Sequence, residues 1–220
     1  MTDTARSVSA LFARLVERQG DRLAIRFKEY GIWHRVTWLE YGAEVRKVAA
    51  ALLAFGLRRQ ENVAVLAENR PEWLYCHLGI QTAAGVTVGI YPTSAPEQVK
   101  YLLNHSEARL IFVENEEQLD KILAIAGDTK LERIVVWDAK GLWGFTDERA
   151  SFFDDFLKQG KTFAESHPGA VDERLASVGL EDTAMIIYTS GTTGPPKGAM
   201  LAHGAILCET QAFLTVNPTR

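Results

Sequence analysis

Cysteine is nearly absent: the 220-residue chain has two, Cys76 and Cys208. They lie far apart, with neither paired nor metal-ligand spacing. That excludes a disulfide scaffold or a zinc ribbon and fits a reducing compartment. Positive charge is not in excess either. Lys and Arg number 24 against 28 Asp and Glu, giving a net charge of −4 with the two signs interspersed. With no basic stripe, nucleic acid is not an expected partner. No apolar run approaches the ~18 residues of a membrane span. The opening MTDTARSVSALFARLVERQG contains acidic residues and no long apolar core, so it is not a secretory signal. The expected location is therefore the cytoplasm. Internal repeats and low-complexity tracts are missing too. What remains is 47% hydrophobic and 24% charged, ordinary for a globular protein with a sizeable core. The length allows one large domain or two small ones.

Helical spacing of Val8, Leu11, Phe12 and Leu15 predicts an amphipathic helix over 7–18, stopped by Gly20. Residues 24–38 (AIRFKEYGIWHRVTW) predict a β-hairpin turning at Tyr30-Gly31. Thr37-x-x-Glu40 is a capping box, opening a helix with a Tyr41, Val45, Val48, Leu52 stripe that ends at Gly56. The pattern then alternates. Strands are expected at 63–66, 86–90, 110–113 and 134–137. Helices are expected at 71–84 (entered through Asn69), from Ser94-x-x-Glu97 to about Asn104, and from Asn115-x-x-Gln118 through Leu123. Uniformly apolar strands between helices imply an α/β fold, a mostly parallel sheet with helices on both faces, preceded by the hairpin. Residues 138–181 break the rhythm and read as a connecting excursion with helices at 151–158 and 171–177. A strand over 184–188 follows, then a loop, then a helix over about 204–215.

That loop, in YTSGTTGPPKG from Tyr188 to Gly198, is dense in small and hydroxylated residues. Gly191, Gly194 and Gly198 lack a Cβ, so the backbone could approach a bulky anion and adopt φ > 0. Successive N–H groups could form an anion nest. Thr189, Ser190, Thr192 and Thr193 add hydroxyls, and Lys197 adds a cation. Ligands of open α/β sheets bind beyond the carboxyl ends of strands, where this loop begins. The chemistry fits a nucleotide's phosphates. It is not a Walker A loop: five residues on from Gly191 stands Pro196, and Lys197 is followed by Gly198. A G-x-G-x-x-G fingerprint is absent as well. Pro195 and Pro196 have no N–H to offer an anion, and would instead stiffen the loop's exit and aim Lys197. The bland reading is a solvated Gly/Ser/Thr surface loop.

TSGTTGPPKG, Thr189–Gly198, resembles the phosphate loop of the adenylate-forming (AMP-binding) enzymes. LAENRPEWL (66–74), GIYPTSAPEQVKYLLNHSEARLIFVEN (89–115) and GAMLAH (198–203) resemble the long-chain fatty acid–CoA ligase branch, so the likeness covers nearly the whole chain. The resemblance implies the N-terminal part of an acyl-CoA synthetase-like AMP-binding domain, here 1–220, without the C-terminal domain. It implies ATP, Mg²⁺ and coenzyme A, and activation of a fatty acid to acyl-adenylate and then acyl-CoA. Thr189, Ser190, Gly191, Thr192, Thr193, Gly194 and Lys197 would hold the β- and γ-phosphates. Lys197 would be catalytic, and Thr189 would also help ligate Mg²⁺. Family members are much longer, so a chain ending at Arg220 is expected not to complete the reaction alone. The rival reading is a non-catalytic nucleotide- or partner-binding module. A third keeps the enzyme class but passes the acyl group to a carrier protein or another nucleophile.

Other candidates are weighed against packing. His203 matches a family position, yet a packing role at a helix start outweighs chemistry. Cys76 and His77 share the helix face of Trp73 and Ile80 and read as core. His34, His105 and His167 share no metal-ligand spacing. Glu116-Glu117 and Asp154-Asp155 read as solvated helix faces. Trp143, Phe145, Phe152, Phe153 and Phe156 read as packing rather than as peripheral membrane contact. A truncated sheet would leave apolar surface uncovered, which leaves room for a homo-oligomer.

Overall fold

A computed structural model describes residues 5–189 and 194–216. Helix α1 (Val8–Gln19) starts where the Ser7 side chain accepts the Ala10 N–H at 3.1 Å, and it ends at Gly20. Strands β1 (Leu23–Glu29) and β2 (Ile32–Thr37) form the expected hairpin. Its turn residues Tyr30 and Gly31 both have positive φ, 47° and 83°, which suits the right-handed twist of two-residue hairpins. The capping box opens α2 (Trp38–Phe55): Glu40 N–H donates to Thr37 Oγ1 at 3.2 Å and Thr37 N–H to Glu40 Oε2 at 2.7 Å.

The alternating part then runs β3 (Asn62–Leu66), α3 (Pro71–Thr82), β4 (Val86–Ile90), α4 (Pro96–Ser106), β5 (Leu110–Val113), α5 (Glu116–Leu123) and β6 (Arg133–Val136). After it come β7 (Ala150–Phe152), α6 (Phe153–Ser166), α7 (Ala170–Ala176), β8 (Thr183–Thr189), β9 (Lys197–Ala202) and α8 (His203–Val216). The sheet order is β7-β6-β5-β3-β4-β8-β9, with every neighbouring pair parallel except β8–β9.

Four expectations need correction. Ser94 is not the cap of α4: Pro96 occupies the first turn, and Gln98 Oε1 accepts the Ala95 N–H at 3.2 Å. A proline at the first helical position lacks the N–H that a cap would satisfy, so the helix starts one residue later than Ser94 implied. Helix α3 is entered through Arg70, not Asn69, again because Pro71 takes the first turn. The 138–181 segment is more than a connection, since β7 extends the sheet and α6 runs on to Ser166. Between the loop and the last helix lies a strand, β9, absent from the sequence reading.

Strands β3, β4, β5 and β6 are buried on both faces, as continuous apolar runs require. Val63, Val65, Phe112 and Val135 pack against α2, α3 and α6. Ala64, Leu66, Ile111, Val113, Ile134 and Val136 pack against α4 and α5. Phe153 and Phe156 are buried and Phe145 and Phe152 partly so, whereas Trp143 is 90% exposed. Most of that aromatic group is therefore core.

Helix α2 admits its neighbours closely because small residues meet there. A Cβ on Gly160 of α6 would lie 2.5 Å from the Ala51 backbone nitrogen and 2.8 Å from its Cβ. Backbone cannot yield as a side chain can, so overpacking here falls at the costly end. Gly160→Val is expected to destabilise by about 3 kcal/mol and to lower the melting midpoint by roughly 6–10 °C. Gly127→Ala, at a site with nothing within 4 Å of the added carbon, is the control. A Gly160→Val melt within 2 °C of the parent would contradict the close packing.

Candidate functional site

Strand β8 sits inside the sheet between parallel β4 and antiparallel β9. The chain leaves β4 toward the β5 side of the sheet and leaves β8 toward β9, so the two exits diverge. Such divergence opens a crevice at the carboxyl ends of strands. A cleft of about 260 Å³ lies there, lined by Ala67 and Asn69 after β3, Ile90 and Tyr91 at the end of β4, and Ile187 and Tyr188 of β8. A larger groove, about 610 Å³, lies between α2, α6 and α7 and is lined by none of the described loop residues.

Thr189 closes β8 and Lys197 opens β9, and the two are directly paired across the ladder. Paired residues in an antiparallel ladder project to the same face, with Cβ atoms about 4.5–5.5 Å apart. Both are exposed. One strand end therefore brings a hydroxyl and an ammonium together, next in sequence to Tyr188, which lines the cleft. No ion pair involves Lys197 among the described residues, so its charge is not neutralised by them. Gly194 has φ 95°, a conformation that favours glycine, and a Cβ there would meet nothing within 4 Å. Its glycine is required by backbone conformation, not by space. Ser190, Gly191, Thr192 and Thr193 lie outside the described residues.

Gly198 needs reassignment. It sits within β9, and a Cβ would lie 2.8 Å from Ile186 Cγ2 and 3.3 Å from Tyr188 Cζ. Its bare backbone makes room for two β8 side chains rather than for an anion. Pro196 precedes β9, and its carbonyl accepts a hydrogen bond from Tyr101 Oη at 3.1 Å. Tyr188 Oη lies 2.8 Å from His105 Nδ1. Sequence reasoning passed over Tyr101 and gave His105 no role. Their i, i+4 spacing on α4 was the available signal.

Metal chemistry rests on little protein. Among the described residues no cluster of three His, Cys, Asp or Glu could hold an ion. Mg²⁺ in general keeps several waters and is bound through one or two protein groups plus substrate phosphates. The exposed Thr189 hydroxyl fits one such position.

Behind β4 and β8 lies a buried polar network. His77 Nδ1 is 3.0 Å from Thr87 Oγ1, and its Nε2 is 3.1 Å from Gln81 Nε2, which also reaches the Ala184 carbonyl at 3.4 Å. Nε2 therefore accepts from the Gln81 amide and Nδ1–H donates to Thr87. His203, 1% exposed, accepts the Val8 N–H on Nδ1 at 3.2 Å. Burial pushes the His77 and His203 imidazoles down to about 4. His203 is thus a packed helix-start residue tying α8 to α1. Cys76 is fully buried, and burial raises its thiol well above the usual range, as befits a core thiol. Glu116 and Glu117 are exposed, and Asp155 pairs with Lys158 at 2.7 Å. Among the described residues no helix is long and apolar enough to cross a membrane.

Comparison with known proteins points to one family. The sequence pattern described as AMP-binding enzyme matches residues 12–219. Long-chain-fatty-acid–CoA ligase ACSBG2 of Xenopus laevis is 32% identical over 202 residues, covering 91% of this chain and 26% of that protein. The Rattus norvegicus ACSBG2 is 35% identical over 206 residues, covering 93% and 30%. The chain therefore spans between a quarter and a third of the length of these relatives. Among solved structures, the anthranilate CoA ligase AuaEII in complex with anthranoyl-AMP superposes with a TM-score of 0.75 at 27% identity, covering 91% of this chain and 35% of that one.

Proposed function

The chain belongs to the AMP-binding enzymes, and from that premise we propose that it contributes the phosphate-binding loop to a long-chain fatty acid–CoA ligase. The observation that carries the proposal is the cross-strand pairing of exposed Thr189 and Lys197 at the carboxyl end of β8. The named activities of the relatives support the substrate class, and the adenylate in the AuaEII complex supports the nucleotide.

In the first step a fatty acid carboxylate oxygen attacks the α-phosphorus of ATP. The bond from that phosphorus to the bridging oxygen breaks, and pyrophosphate leaves. In the second, the coenzyme A thiol loses its proton to solvent and its sulfur attacks the acyl carbon, the bond from that carbon to the phosphate oxygen breaks, and AMP leaves. Negative charge grows on the departing pyrophosphate in the first step. The Lys197 ammonium and the Thr189 hydroxyl stabilise that growth from fixed positions, and Ser190, Gly191, Thr192, Thr193 and Gly194 complete the loop. Thr189 would help hold Mg²⁺, which when bound would supply charge neutralisation on the polyphosphate. The contribution of these residues is positioning and electrostatics rather than a covalent bond to substrate.

With ATP, magnesium and palmitate, the protein carrying this chain is expected to exchange labelled pyrophosphate into ATP. Exchange of equal rate without fatty acid would overturn the substrate assignment.

A further inference from the structure

Helix α4 offers one face to both arms of the β8–β9 hairpin. Tyr101 and His105 are one turn apart, with ring centroids 5.5 Å from each other. Tyr101 Oη donates to the Pro196 carbonyl at 3.1 Å. His105 Nδ1 and Tyr188 Oη are 2.8 Å apart, and their rings meet edge to face at 5.6 Å. Tyr188 is the residue before Thr189, and Pro196 is the residue before Lys197. The two bonds therefore land immediately beside the paired hydroxyl and ammonium, one on each strand.

The local chemistry explains why these particular anchors are needed. Pro195 and Pro196 have no N–H, so neither can donate to a ladder or a turn. A backbone carbonyl is the one hydrogen-bonding group that Pro196 has, and Tyr101 takes it. On the other arm, the Tyr188 ring lies over Gly198, whose missing Cβ leaves the space that the ring occupies on its way to His105. Three departures from a plain hairpin thus belong to one arrangement: a carbonyl held by a tyrosine, a glycine in mid-strand and a tyrosine bound to a histidine.

We propose that Tyr101 and His105 are positioning residues that clamp both arms of the phosphate loop to α4 and thereby fix the separation of Thr189 and Lys197. The role rests on the reading of that pair as a polyphosphate site. The role does not require either residue to touch the nucleotide. Each acts through the residue that it holds, so its loss loosens the geometry on which transition-state stabilisation depends, where a displacement of about 1 Å is costly.

The test uses the whole chain and the variants Tyr101→Phe, His105→Ala, the double variant and His105→Asn, whose amide oxygen can still accept from Tyr188. Three quantities are measured: hydrogen exchange at the amides of residues 194 and 197–200, affinity for MgATP by calorimetry, and the melting midpoint. Each single loss is expected to weaken ATP binding about three- to tenfold and to speed exchange at those amides at least as much. The melting midpoint should move by no more than about 4 °C. His105→Asn should restore both binding and exchange. Unchanged exchange in the double variant would overturn the clamp, as would an affinity loss that only follows the melting midpoint. If the parent chain bound no ATP, the phosphate reading would fall, and the exchange rates would still decide whether α4 holds the two arms.

Discussion

Lys197→Ala is expected to lower the chain's affinity for ATP ten- to a hundredfold while leaving its melting midpoint in place. The size follows from losing an ionic hydrogen bond to a phosphate oxygen, about 1.5–3 kcal/mol, where each 1.4 kcal/mol is tenfold. The specificity follows from position. Lys197 is exposed at the first residue of β9 and pairs with no acid among the described residues. Removing it therefore costs the fold little, as for other surface substitutions. Lys197→Arg keeps the charge and should retain much of the affinity, although a planar guanidinium does not replace a compact ammonium on every oxygen. Calorimetric titration of the three proteins separates these cases. Equal affinity in the parent and the alanine variant would remove Lys197 from the site.

Acid should destabilise the fold well above the carboxylate range. His77 is half-buried, His203 is buried and both are neutral, with folded values near 4 against about 6.5 in an unfolded chain. Below about 6.5 the unfolded chain binds the protons that the folded one refuses, so stability falls with pH until the folded values are reached. Protonation would also set an N–H of His203 against the Val8 N–H, and an N–H of His77 against the Gln81 amide. Between pH 7 and pH 5 the pair is expected to cost about 2–4 kcal/mol of unfolding free energy. Carboxylates act in a different window. Glu61, held down to about 2 by hydrogen bonds from Arg58 and Arg109 against the opposing effect of burial, loses its contribution only as pH falls from about 4.5. Urea unfolding at pH 7 and pH 5 measures the difference. A His77→Gln/His203→Asn double variant should flatten it, and an unaltered slope in that variant would place the acid sensitivity elsewhere.

Elements with strong local signals were legible in the sequence. The Thr37-x-x-Glu40 box, the Tyr30-Gly31 turn and the apolar runs at β3, β4, β5 and β6 each carry a pattern that tertiary structure had no reason to override. β7 was not legible because three residues, Ala150–Phe152, are too short for a period to appear. β9 was hidden for a different reason. Half of Lys197–Ala202 is small (Gly198, Ala199 and Ala202), it is the last strand of the sheet, and its partner β8 lies across the loop. The sequence therefore offered a loop leading straight to a helix.

The same gap limited the site. Thr189 and Lys197 were recognised by type, but their direct pairing follows only from β9. Gly198 was counted with the loop glycines because its surroundings, Ile186 and Tyr188, become visible only once the ladder is built. Tyr101 and His105 are separated from the loop by more than eighty residues, and nothing local marks them as its supports.

Competition at the nucleotide site tests the central claim most directly. With the chain loaded with labelled ATP, inorganic tripolyphosphate should displace it at concentrations close to those of unlabelled ATP, and AMP should require far more. Displacement by AMP as effective as by ATP, with tripolyphosphate without effect, would mean that the chain holds the nucleoside end and that Thr189 and Lys197 do not grip a polyphosphate.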